Sequence, residues 1–369
     1  MPEHRITNCH VHSFTHRHVP VLYPHWAVWP FKKVPGLVRL VAFLCRPFFP
    51  VAAETLDRLH RFQEEAGAET QGELLEKVRR HYPSNTRFVV LPMDMEGIGH
   101  GPVRAGLAAQ HDELAALAAR EDLKGLVLPF ATFNPARGQA GVDEVKRMVE
   151  GHGFRGLKIY PRLGFPPDHD LLMTQLYPFL QERGLPVMTH CSRGGVQGRG
   201  VVTAAADRYT APEAYVPVME AFPRLRICLA HFGGAADWQA YVEEGMAPGD
   251  AEARRRNWQV AIRDMIGSGK YPGLWTDISY TLFHFDDNLP FLKLFLEGTG
   301  DKAERLRRRV LFGSDYYMTR QERLSERAVC FRLRNALGED MFWRIAQVNP
   351  EVWLGEREEE VAEVAGAGV

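Results

Sequence analysis

Eight runs of strand length, most of them rich in Val, Ile, Leu and Phe, recur along the 369-residue chain with helix-length segments between them. They are ITNCHVH (6–12), RFVVLPMDM (87–95), GLVLPFATF (125–133), RGLKIYP (155–161), LPVMTH (185–190), LRICLAH (225–231), GLWTDIS (273–279) and RVLFGSD (309–315). Near-continuous apolar runs are what parallel strands require when both faces are covered. The intervening stretches carry helix signals, as in VRAGLAAQHDELAALAARE, VDEVKRMVEGH and HDLLMTQLYPFLQERG. In TAPEAYVPVMEAF, Thr210 stands as an N-cap with Pro212 in the first turn. Eight such units predict an α/β fold, a (β/α)8 TIM barrel formed as a single domain over 1–369. A doubly wound open sheet shares the alternation, but no GxGxxG follows the first strand, which disfavours its dinucleotide-binding version.

Two segments break the repeat. Residues 19–51, VPVLYPHWAVWPFKKVPGLVRLVAFLCRPFFPV, are too long and too aromatic for an ordinary βα loop and are expected to form a cap over the catalytic end. Trp26 and Trp29 would then line the substrate pocket or pack at a subunit contact. The tail from 357 to 369 is charged and then small, the pattern of an outer helix that frays.

Charge excludes some functions. The formal net charge is −1, from 45 basic and 46 acidic residues, and no basic run is long enough for nucleic acid. Five widely spaced cysteines without a CxxC fit a reducing cytoplasm rather than a disulfide framework. MPEHRITN lacks a signal-peptide layout. GLVRLVAFLC is interrupted by Arg39 and falls well short of the roughly 20 residues a membrane span needs. A cytoplasmic, homo-oligomeric (dimeric) enzyme acting on a small molecule is the expectation.

The chemistry concentrates where barrel active sites lie, at the carboxyl ends of the strands. His10 and His12 are spaced i, i+2, so an extended strand sets both imidazoles on one face and turns Cys9 and Val11 to the other. Lys158 sits on the fourth strand, His190 closes the fifth, His231 the sixth and Asp315 the eighth. One buried histidine is most often structural, but four with a carboxylate at one end of a barrel make a donor set for Zn, Mn, Fe or Ni, zinc first. Cys9, Cys191 and Cys228 read as buried packing. Arg162 and Arg193, which follow the fourth and fifth strands, are candidate carboxylate binders. Tyr160 and His284 are further candidates to meet substrate, His284 as a proton carrier.

These residues resemble the amidohydrolase superfamily, and FRGLKIYP, LAHFGG, VLFGSD and AQVNPEVWLG look like its amidohydrolase-2 branch of hydrolases and non-oxidative decarboxylases. The resemblance implies that His10, His12, His190 and Asp315 hold the metal. It makes His231 either a further ligand or the catalytic histidine. Asp315 and His231 are thereby the catalytic pair. Lys158 is expected either to bridge two ions as a carboxylated lysine or to turn aside and pair with an acid such as Asp94, and one ion is favoured over two. Hydrolysis of an amide, lactone or carboxyl ester by a metal-activated water is the first expectation. Decarboxylation of an aromatic or enoic acid is the second.

Overall fold

The computed structural model describes residues 4–23, 34, 36–244, 252, 256–279, 285–316 and 325–359. Among the described residues nine short strands run in parallel: β1 (Thr7–Val11), β2 (Arg87–Val90), β3 (Val127–Pro129), β4 (Ala131–Phe133), β5 (Leu157–Ile159), β6 (Val187–Thr189), β7 (Ile227–Leu229), β8 (Leu274–Asp277) and β9 (Val310–Leu311). The ladder is continuous in chain order, β1 to β3 and then β4 to β9. β3 and β4 are the two halves of the expected third strand. Pro129 has no N–H to give the ladder and marks the break. The first half bonds to β2 and the second to β5. The seam closes where Cys9 N–H donates to Phe312 O (2.8 Å) and Asp315 N–H to His10 O (2.9 Å). The eight predicted strands therefore make the (β/α)8 barrel.

Side chains sort by pleat. Leu157, Ile159, Val187, Ile227, Leu229 and Val310 pack outward with the helices in one large core. A second, smaller cluster gathers Cys9, Phe130, Met188, Cys228, Trp275 and Leu311, drawn from strands all around the sheet, and forms the interior floor. Trp353 from the late helix Asn349–Trp353 stacks on Phe130 (5.5 Å, 28°) and plugs this floor from below. Cys9 corrects one expectation. It faces inward with Cys228, because the β1–β2 register shifts between Asn8 and Val11. Such a bulge lets the strand turn Cys9, His10 and His12 all to the barrel interior while Val11 packs outside.

Gly156 lies where β5 crosses this floor. A Cβ there would sit 2.4 Å from the Phe130 ring and 2.6 Å from Pro186 O. Gly156→Ala is expected to cost about 1–3 kcal/mol through overpacking and to lower the melting temperature. An unchanged thermal transition would mean that the Phe130–Trp353 stack yields freely. No helix among the described residues is long and apolar enough to cross a membrane.

Of the expected cap, residues 24–33 and 35 lie outside the described residues, and Trp26 and Trp29 with them. Its described remainder ends in the helix Leu37–Cys45 and the start of the helix Pro50–Ala66. The second helix returns to the catalytic end of β1, where His16 N–H donates to Ala66 O (2.8 Å). Of the tail, only 357–359 is described; Glu359 pairs there with Arg309 (2.6 Å).

Candidate metal centre

Above the floor the barrel interior turns polar. His10, His12, Lys158, His190, His231, Asp277 and Asp315 are all buried, with exposures from 0 to 6%. Burial on this scale costs free energy unless each polar atom finds a partner. The partners therefore show which atoms are committed and which are left to bind something else.

His10 Nδ1 lies 2.8 Å from Asp277 Oδ2. A carboxylate only accepts, so the proton is on Nδ1 and Nε2 is bare. That Nε2 is buried and has no hydrogen-bond partner. His12 repeats the arrangement with a backbone carbonyl. Its Nδ1–H donates to Leu91 O (2.8 Å), and Nε2 stands 3.8 Å from Asp315 Oδ1. His231 Nδ1 is 2.8 Å from Ser279 Oγ, whose own hydroxyl donates to Asp277 Oδ1. His231 Nε2 thus carries no proton. His190 Nε2–H faces Gly194 O at 3.2 Å, which leaves Nδ1 bare and 3.1 Å from His231 Nε2. Two unprotonated nitrogens at that distance repel unless a cation or a proton lies between them.

The donor atoms of His10, His231 and Asp315 all fall within 4.8 Å of one another. His231 Nε2 therefore reaches the same point as the proposed ligands. Burial pushes the imidazolium forms of His10, His190 and His231 far down, and His12 down to about 3, with the Lys158 charge adding to the effect on all four. Neutral imidazole is the ligating form. Burial also pushes the Asp315 carboxyl up to about 7, against the pull of Lys158. The convergent bare nitrogens, the orphaned His10 Nε2 and the carboxylate fit a divalent ion.

Backbone strain is focused on the same place. Among the described non-glycine residues, positive φ occurs at His231 (70°), Phe232 (45°) and Asp315 (50°). Left-handed backbone costs free energy in such residues and persists where surrounding bonds hold it. His231 N–H is tied to Asp277 Oδ1 (3.0 Å), and Asp315 N–H to His10 O. The strained turns aim both side chains across the barrel mouth.

The remaining candidates separate. Lys158 Nζ is buried with no hydrogen-bond partner. Burial pushes it down to about 8, with Asp277 and Asp315 pulling the other way. It does not pair with Asp94. That carboxylate is held bidentately by Arg137 (2.6 and 2.8 Å) and also accepts from Asn134 (3.1 Å). Tyr160 stacks on His190 (4.4 Å, 19°), and its hydroxyl accepts from Val196 N–H (3.1 Å), so it steadies that ligand. Arg162 is buried and pairs with Asp207 and Gln197. Arg193 pairs with Asp237 (3.0 Å) and lies over the Trp258 ring (4.3 Å). His284 lies outside the described residues.

Asp277 is the functional residue that sequence reasoning missed. It accepts from His10 Nδ1, His231 N–H, Ser279 N–H and Ser279 Oγ. The signal was present in GLWTDIS, an acid near the end of an apolar run, as in the GSD that follows β9.

A family model described as Amidohydrolase (Amidohydro_2) matches residues 9–355. The chain belongs to the amidohydrolase family. No curated protein matches this amidohydrolase in sequence. Among solved structures it is similar to 5-carboxyvanillate decarboxylase from Novosphingobium aromaticivorans complexed with manganese and 4-hydroxy-3-methoxy-5-nitrobenzoic acid. That match has 14% identity and a TM-score of 0.54, covering 95% of this chain and 96% of that one. It is also similar to 2,6-dihydroxybenzoate decarboxylase complexed with 2,6-dihydroxybenzoate, at 15% identity, 96% and 100% coverage and a TM-score of 0.52. A third is 5-carboxyvanillate decarboxylase LigW from Sphingomonas paucimobilis, at 16% identity, 96% and 99% coverage and a TM-score of 0.50. At these identities the likeness establishes the barrel fold.

Proposed function

We propose that this amidohydrolase is a non-oxidative decarboxylase of an aromatic or enoic carboxylic acid that works with one divalent ion. The observation that carries the reading is that three near-full-length structural neighbours are named as decarboxylases of 5-carboxyvanillate or 2,6-dihydroxybenzoate. This favours the second of the two sequence expectations over hydrolysis.

His10, His12, His190 and Asp315 would hold the ion. When bound, it supplies positive charge that attracts a substrate carboxylate and stabilises the electron pair left on carbon. Among the described residues of the cluster, Lys158 is the cation without an ion-pair partner, and it adds to the same attraction. Arg162 and Arg193 are bound to Asp207 and Asp237 and would position loops rather than substrate.

The net change is R–CO2⁻ plus a proton giving R–H plus CO2. The bond between carbon and the carboxyl group breaks, its electron pair stays on carbon, and the proton joins that carbon. His231 is the proton carrier in this reading. Ser279 and Asp277 fix its Nδ1–H and leave Nε2 as the working atom. The buried setting excludes water, which strengthens each of these electrostatic contacts.

The test is a substrate panel run on metal-replete protein. Hydroxylated benzoates and enoic acids are followed for CO2, and lactones and activated esters for hydrolysis. CO2 release with the larger kcat/KM is expected. Hydrolysis that dominates without CO2 would restore the hydrolase reading. Elemental analysis of the same sample should give one equivalent of metal and distinguish zinc, first by donor type, from manganese.

A further inference from the structure

Helix Leu37–Cys45, LVRLVAFLC, is apolar on nearly every side, a pattern that ordinarily means burial all round. Here only one face is covered. Val38 and Ala42 are buried, while Leu40, Phe43 and Leu44 point outward with exposures of 55, 69 and 59%. The spacing i, i+3, i+4 sets these three on a single stripe. Immediately beyond, Phe48, Phe49 and Val51 are 77, 65 and 81% exposed.

Taking about 200 Å² for a fully exposed phenylalanine, these six side chains leave roughly 750 Å² of apolar surface in contact with water. The largest apolar patch on a monomer is usually about 300–600 Å². A stable two-chain interface buries about 800 Å² from each partner. We infer that this surface, Leu40 to Val51, is the interface through which two copies of this chain pair about a two-fold axis.

Its rim favours a second copy over an anionic lipid surface. Arg46 is paired with Asp57, and Glu54 accepts from Arg61 (3.3 Å) and lies 3.7 Å from Arg58. Among the described residues three of the four rim arginines are thus paired, and Arg39 is the one exposed cation on the apolar helix outside these pairs. A lipid-binding helix would instead carry a row of unopposed basic residues along its polar face.

The helix that leads out of this surface also reaches the metal centre at its far end. From the inner side of helix Pro50–Ala66, Phe62 packs against Phe14 (6.2 Å), which packs against His12 (5.8 Å). Glu65 of the same helix accepts from the Tyr316 hydroxyl (2.7 Å), next to Asp315. Covering the outer face would steady the helix that backs two of the proposed ligands.

The experiment is sedimentation velocity at micromolar concentration on the full chain and two double variants, F43E/F48E and L40K/L44K. The native chain is expected to sediment as a dimer. Both variants are expected at half that mass, with unchanged circular dichroism. Lys124→Glu, outside both the patch and its rim, should stay dimeric. A native monomer, or dimers that persist in both variants, would overturn the proposal. So would a native chain that is monomeric but co-sediments with phosphatidylserine vesicles, since the occupant would then be lipid.

Discussion

Replacing His10 and His12 together by alanine should abolish both metal retention and turnover while leaving the barrel folded. The two imidazoles present bare Nε2 atoms to the interior because Asp277 and Leu91 O take their Nδ1 protons. Alanine at both positions removes two of the four proposed ligands at once. A catalytic metal contributes several kcal/mol of transition-state stabilisation, so activity should fall by at least about three decades. The fold has little reason to follow. The floor of Phe130, Met188 and Trp275 and the closing bonds Cys9 N–H to Phe312 O and Asp315 N–H to His10 O involve neither ring. Elemental analysis and circular dichroism on the purified double variant decide the matter, and full metal content there would sink the ligand assignment.

Asp277→Asn should weaken metal binding about 10–100-fold, the usual cost of losing the group that orients a ligating histidine. The change is nearly isosteric, yet asparagine offers one acceptor oxygen where the structure uses two. Oδ2 receives His10 Nδ1–H, and Oδ1 receives His231 N–H, Ser279 N–H and the Ser279 hydroxyl. An amide NH2 on either side meets a donor instead of accepting from it. Leaving a buried donor unpaired costs about 1–3 kcal/mol, so the melting temperature should drop as well. Chelator competition measures the first effect and thermal unfolding the second. Native metal affinity in this variant would mean that His10 and His231 keep their orientation without Asp277.

The barrel was legible because parallel strands buried on both faces must be apolar, and eight such runs stand out against the amphipathic segments between them. The candidate centre was legible for a related reason. In an apolar strand a polar side chain near the last position is conspicuous, and His10, His12, His190, His231 and Asp315 all share that placement. Asp277 shares it too, but Thr276 and Ser279 on either side of it make GLWTDIS read as an ordinary polar strand end. What remained hidden depends on long-range partners. Arg162 and Arg193 read as substrate binders until Asp207 and Asp237, some 45 and 44 positions away, are seen to hold them. Lys158 was offered Asp94, which the fold gives to Arg137 instead. The bulge in β1 that turns Cys9 inward is a matter of register with β2, and alternation along one strand cannot reveal it.

The seam between β1 and β9 bears on how the protein is made. His10 emerges from the ribosome about three hundred residues before Asp315, its companion in the centre. At roughly 5–20 residues per second, the first strand waits on the order of fifteen to sixty seconds for the last. During that interval its apolar edge has β2 on one side and no β9 on the other. The finished centre joins the oldest and the newest parts of the barrel, so an ion held there would act as a clasp on a ring whose two ends meet last.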